Sequence, residues 1–556
     1  MFLFLATNYQ YGFGNDAFGI KQFKTSVTDP NNNTVHSYTS AMGKQTTIAA
    51  PENATTKFIY SPLGELIESI DPESNSTTYE YDMLGQLTQR NHPDAGTTKY
   101  QYDRSGNLLS VQTPNLGASK IEYDYHYNRL MQVNYPDNPE NNVVYEYGNS
   151  GNETGRITKV KSNGNVKQFS YGNLGEITEE ITTFVRPSGE TYSFAMLTQY
   201  DSWNRILSMT YPDGEIVNYD YNLGGDLISV QGEKGGVNYS YITDIQYDKY
   251  GNQVFVQNGN GSYSNYTYDQ TTLRLSNLKT YDGNSNKILD LDYNYDNASN
   301  ITAIANSASQ VNGLGGDFSY GYEYDNLYRL VSSSGSFDNN HRNYELGMSY
   351  SASGNILSKN LFAQTSIGGL DVDIDRRYSY TYNQNQPHTI SNVDNDGRKI
   401  DFEWDGNGNL IYYQSEDPDI TRNLCWDEEN RLSTVKDNNY LSQYTYDAGG
   451  ERVWKLTGEV SRMTINGEDY FDIADLNNAT LYASPYLVVN RQEYTKHIYA
   501  GSKRIVSKLG VGLASSIVDP LVFTVEYDGE YGELGTALHE YLNNNLSCTD
   551  IKPENV

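Results

Sequence analysis

Two cysteines, Cys425 and Cys548, are all that a chain of 556 residues carries. They stand far apart and form no CxxC pair, so neither a disulfide framework nor a structural zinc site is indicated. Basic residues are scarce as well: 39 Lys and Arg stand against 70 Asp and Glu, a formal net charge of −31. No basic stripe with interleaved aromatics occurs, and the charge repels phosphate backbones and anionic membranes, so no nucleic acid is expected as a partner. Acidity alone does not name a partner, because strongly acidic surfaces are also simply soluble ones. Apolar residues reach only 37% even with tyrosine counted, which is thin material for several thick, dry cores.

Long apolar runs are missing too. The opening MFLFLATNYQYG is too short for a signal h-region or a membrane span, and it lacks a basic flank and a cleavage-type end. The seven histidines are scattered singly, and no GxSxG or GxxxxGK[ST] stretch occurs. No nucleophile–base pair or phosphate loop can therefore be assembled, and neither an enzyme nor a cofactor is expected.

What the chain has instead is tyrosine, 52 of them. A Tyr ring supplies apolar area while its hydroxyl seeks a partner, which suits a thin β layer beside polar or wet space. The tyrosines fall into a repeated phrase: an aromatic, often followed by Asp, then Gly or Asn in a short turn, then Leu or Ile. It recurs at Tyr60, Tyr81 (YDMLGQL), Tyr102 (YDRSGNL), Tyr123 (YDYHYNRL), Tyr147, Tyr171, Tyr200 (YDSWNRI), Tyr221 and Tyr247 (YDKYGNQV). It continues through Tyr268, Tyr295, Tyr324 (YDNLYRL), Tyr350, Tyr382, Trp404 (WDGNGNL), Trp426 (WDEENRL) and Tyr446 (YDAGGERV). The first four follow at 21-residue steps.

Each phrase has a physical reading. Tyr79 and Tyr81 alternate with Glu80 and Asp82, and Tyr100 and Tyr102 with Gln101 and Asp103, which is strand periodicity. Asp can bond forward to the backbone, and Gly85, Gly106, Gly175 and Gly354 are free to take positive φ, so a turn follows. The next strand opens at the Leu or Ile. One period is therefore two short strands and two turns. Neighbouring hairpins place their tyrosines side by side, no hairpin is stable alone, and the twist of a sheet this long bends it into a coil or shell.

At these residues the chain resembles the Rhs/YD-repeat family, over about residues 56–456. The stretch RQEYTKHIYAGSKRIVSKLG, residues 491–510, is similar to the segment that follows the last repeats in bacterial members. The resemblance implies an all-β fold in which tandem YD hairpins form one long spiralling sheet, a hollow or partial shell. In bacterial members, including the C subunit of insecticidal toxin complexes, such a shell encloses a C-terminal toxic polypeptide; teneurins use a similar barrel for adhesion. The self-cleaving DPxGxxDP-like motif of bacterial members has no match here, since Asp519-Pro520 is a lone DP. The chain reads as a shell segment cut at both ends. Four parts are expected: residues 1–55 with further hairpins, 56–456 as the repeat shell, 457–512 as the core-associated end segment, and 513–556 as a divergent tail with a short helix.

The expected role is a noncatalytic shell, secreted or on a bacterial surface, whose partner is a polypeptide toxin or another shell subunit. The alternative is an adhesion module binding a cell-surface glycan through exposed tyrosines. The residues that carry the repeat are Tyr81, Asp82, Gly85, Tyr102, Asp103, Gly106, Tyr123, Asp124, Tyr200, Asp201, Tyr247, Asp248, Tyr324, Asp325, Trp404, Asp405, Trp426, Asp427, Tyr446 and Asp447. Catalytic and metal sites are not expected. NVDNDGRKIDFE, residues 392–403, has the spacing of a calcium loop, but its flanks are strand-like and Asp396-Gly397 signals a hairpin. DVDID from Asp371 and DLDYNYD from Asp290 read as solvated charged faces. HEYLN, residues 539–543, lacks the second His of a zinc motif.

Overall fold

Alternating strand residues punctuated by Asp-initiated turns give an all-β chain. The computed structural model describes residues 6–513 except 187–188, 338–341, 368–369, 417, 466–467 and 491–492, and describes side chains outside 366–372 and 461–477. Asp519, the HEYLN stretch and the expected tail helix lie outside the described residues. Among the described residues forty-two strands pair antiparallel with their chain neighbours in one sheet. Among the described residues the helical elements are short 3-10 turns such as Pro114–Leu116, and no helix is long and apolar enough to cross a membrane.

The chain divides into two compact units. The first comprises Met1–Lys99 with Ile245–Phe402, the second Tyr100–Asp244 with Glu403–Val556. Within each unit the later stretch lies against the earlier one, turn to turn. In the first unit these contacts are polar: Asn31 donates to Asp296 (2.9 Å), Asn326 to Glu52 (2.8 Å), Ser353 to Asp71 (2.8 Å), and the Tyr328 hydroxyl to Asp29. They join residues 265 to 317 positions apart, as Asn31 with Asp296 and His388 with Asp71 show.

The second unit is closed differently. Phe184, Tyr192 and Phe194 of the earlier stretch pack with Val453, Trp454, Leu456, Leu481, Leu487 and Val489 of the later one in a buried apolar cluster. A smaller cluster gathers Ile121, Val133, Tyr135 and Val143. Among the described residues the first unit contributes only Ile245, Ala308 and Val393 to the buried apolar set. The fully buried apolar residues described are thus concentrated in one unit, and the contacts named between the stretches of the other are hydrogen bonds.

Residues 392–403 form a hairpin. Strands Ile390–Asn395 and Arg398–Trp404 pair with Asn395 opposite Arg398, and Asp396 and Gly397 both take positive φ, 52° and 87°, as a two-residue turn requires. Asn392 and Asp394 sit within one strand and Asp401 and Glu403 within the other, so these residues do not form a loop wrapped around a cation. One sequence expectation is corrected: Cys425, buried in the strand Asp419–Trp426, is disulfide-bonded. Cys548 lies outside the described residues.

Candidate functional site: the repeat turns and the polar seams

The repeat turn is built on one carboxylate. The strand Ser76–Tyr81 ends at Asp82, whose N–H donates to the Gln86 carbonyl (3.0 Å) while Gly85 N–H donates back to the Asp82 carbonyl (3.1 Å). Asp82 Oδ1 accepts the Leu84 and Gln86 amides at 2.8 and 3.0 Å, and Gly85 has φ 77°. This three-residue hairpin loop carries a bulge between Glu80 and Tyr81, and the next strand opens at Leu87.

Asp103, Asp201, Asp248, Asp325, Asp405, Asp427 and Asp447 each accept the amides two and four residues ahead in the same way. Gly106 takes φ 88° in its turn. Tyr102, Tyr200, Tyr247, Tyr324, Trp404, Trp426 and Tyr446 each close a strand. The phrase at Tyr123 differs. Tyr123 and Asp124 lie inside the strand Ile121–His126, Asp124 accepts from Asn134, and the turn is made further on by Tyr127 and Asn128, both at positive φ.

Two features of the repeat escape the phrase itself. The closing aromatic is tied to the preceding repeat. Tyr221 donates its hydroxyl to the Ile206 carbonyl, Tyr324 to Ile301, Tyr350 to Leu330 and Tyr446 to Leu432, at 2.6–3.0 Å. Each acceptor opens the strand after the preceding turn. Trp426 does the same with its indole N–H, to Leu410 (2.8 Å), so Trp replaces Tyr without loss of the donor. The second feature is the residue four after the Asp. Arg205, Arg329 and Arg431 donate Nε to their own turn Asp at 2.6–2.7 Å. Each also lies over the next repeat's ring, Tyr221, Tyr350 and Tyr446, with 4.5, 4.8 and 5.2 Å to the centroid. The signal was present in the phrases ending Asn-Arg or Tyr-Arg, but their partners are a repeat away.

Removing one such hydroxyl has a defined cost. Tyr350→Phe is expected to destabilise the protein by about 1 kcal/mol, read as a lower urea midpoint at unchanged slope, whereas Tyr350→Trp is expected to retain part of that contribution.

Titratable side chains gather at the seams. In the second unit Lys496, 1% exposed, meets Asp213 at 2.7 Å and also Glu215, which is fully buried. Lys508 reaches Glu215 at 2.9 Å, Lys234 reaches Asp213 at 2.8 Å, and the Tyr494 and Tyr241 hydroxyls donate to Asp213 and Glu215. Burial alone would push both carboxyls up, but the hydrogen bonds from the lysines and tyrosines hold both below the usual range. In the first unit His388 stands between Asp94 (Nδ1, 2.6 Å) and Asp71 (Nε2, 2.9 Å). Among the described residues no group of three or more His, Cys, Asp or Glu side chains could hold a metal ion.

Comparison with known proteins agrees with this architecture. The family model described as RHS Repeat matches residues 60–97. Toxin subunit YenC2 of Yersinia entomophaga is 30% identical over 154 residues, 26% of this chain and 16% of that protein. Toxin subunit YenC1 of the same organism is 23% identical over 326 residues, 52% of this chain and 32% of that one. The chain therefore spans less than a third of the length of either curated relative. Among solved structures, the crystal structure of TcdB2-TccC3 covers 90% of this chain with 29% of its own, at a TM-score of 0.71 and 18% identity. The Photorhabdus luminescens Tc holotoxin pore covers 88% with 25% of its own, at 0.67 and 19%; at these identities the likeness is one of fold. With the phrase recurring from Tyr60 to Tyr446, an RHS Repeat match over residues 60–97 and these relatives, the chain is similar to proteins of the Rhs/YD-repeat family.

Proposed function

We propose that this chain is a noncatalytic wall segment of a secreted bacterial toxin-complex shell, which encloses or delivers a polypeptide effector and is completed by another shell polypeptide. One observation carries the reading: nine-tenths of the chain shares its fold with the toxin-complex structure, at a TM-score of 0.71. The similarity to toxin subunits of Yersinia entomophaga supports it. The repeat's own chemistry is consistent, since carboxylates such as that of Asp82 seat its turns and several of its Tyr hydroxyls bond to the backbone. The net charge of −31 makes a basic cargo the best match.

Electron microscopy of the purified chain, alone and with a candidate shell partner, tests the reading. A hollow particle, in either sample, is the expected result, with cargo retention that weakens as salt rises. A filled rod or an open sheet in both samples overturns the container role, and salt-insensitive retention overturns the electrostatic part.

A further inference from the structure

The contact between residues 383–389 and the turns at Asp71 and Asp94 differs from the other named seam contacts of the first unit in depending on an imidazole. His388 Nδ1 lies 2.6 Å from Asp94 Oδ2 and Nε2 lies 2.9 Å from Asp71 Oδ2. Its backbone N–H donates to Asp94 Oδ1 (2.9 Å), and Gln386 donates to the Asp94 carbonyl (2.8 Å). Two carboxylates facing two ring nitrogens can both be satisfied only when both nitrogens carry protons; neutral imidazole has one N–H and must turn a lone pair towards one carboxylate.

We propose that His388 is a pH-sensitive clasp that holds the two stretches of the first unit together while it is an imidazolium and releases them when it loses its proton. The clasp rests on the geometry of that unit and holds whether or not the chain encloses a cargo.

The surrounding charges set the direction. Asp71 also accepts from Asn75 (2.8 Å) and Ser353 (2.8 Å), bonds that, against its burial, hold its carboxyl below the usual range and keep it anionic. Asp94 is also approached by His92, at 3.7 Å. Burial lowers the His92 ring, with Arg90 and His388 acting the same way and Asp94 opposing them, so His92 does not substitute for the clasp at neutral pH. Glu73, which accepts from Ser351 (3.1 Å), adds a further negative charge on the earlier stretch. Burial alone would push the His388 ring down, but its bonds to Asp94 and Asp71 and their charges raise it above the ordinary value of 6.5. A raised folded-state value means that the clasp contributes fully below pH 6.5 and is lost as pH rises through that raised value.

Hydrogen–deuterium exchange on the full chain between pH 5.5 and 9.5, corrected for the intrinsic rate, tests this. Peptides covering residues 383–389 and 92–96 are expected to exchange about tenfold faster at the alkaline end, a factor equivalent to about 1.4 kcal/mol. His388→Ala is expected to exchange fast at both ends, and His388→Arg, a permanent cation, to remove the pH dependence. Peptides over residues 493–511 in the second unit report that each variant is folded. Wild-type protection that does not change with pH overturns the proposal, as does His388→Ala protected like the wild type at pH 5.5.

Discussion

Trp454→Ala is expected to lower the stability of the second unit by about 3–5 kcal/mol, the range for emptying a large buried aromatic site. The Trp454 side chain is 2% exposed and packs edge-on against Phe184, with ring centroids 5.5 Å apart and planes at 86°. Its Nε1–H donates to the Gly164 carbonyl (3.2 Å). Phe184 and Gly164 belong to the earlier stretch of the unit and Trp454 to the later one, so the substitution opens a cavity where the two meet. Trp454→Phe separates the contributions. It keeps most of the apolar contact, and Gly164 retains the Val185 amide (2.9 Å) as a partner, so about 1 kcal/mol is expected. Urea unfolding followed by far-UV circular dichroism measures both. A Trp454→Ala protein within about 1 kcal/mol of the wild type would show that this core does not hold the stretches together.

That core was not visible in the sequence, although the hairpins were. The YD turn is legible because its parts lie within one phrase: Tyr81 ends the strand, Asp82 binds the amides ahead of it, and Gly85 takes the positive φ. Where the chain stretches the phrase, as at Asp124, the turn moves on to Tyr127 and Asn128, whose φ values of 51° and 59° no fixed spacing announces. Arg205 was visible as a residue but not as a link, because the ring it covers, Tyr221, belongs to the next repeat. The seams were hidden altogether. His388 meets Asp71 across 317 positions, and Lys496 meets Glu215 across 281. Local patterns report hairpins, and only the return of the chain beside itself decides which turn faces which. The low apolar content pointed to thin walls; it did not say that the buried apolar residues would fall almost wholly in one unit.

The buried ion cluster gives the second large effect. Lys496→Met removes a cation that lies between Asp213 and Glu215, and stranding buried carboxylates costs about 3–5 kcal/mol. The lower end, about 3 kcal/mol, is expected because Lys234 still reaches Asp213 and Lys508 still reaches Glu215. The pH dependence identifies the cause. Both carboxyls are held below their ordinary values of 3.8 and 4.5, so their contribution is present above those values and is lost as pH falls through the lowered folded-state ones. The stability difference between wild type and Lys496→Met should therefore be full at pH 7 and shrink on acidification below about pH 4, opposite in sense to the alkaline loss at His388. Urea midpoints at pH 3, 5 and 7 check this. A difference that stays constant down to pH 3 would mean that the loss does not come from stranding the two carboxylates, and the charge cluster would then lose its claim to hold the seam.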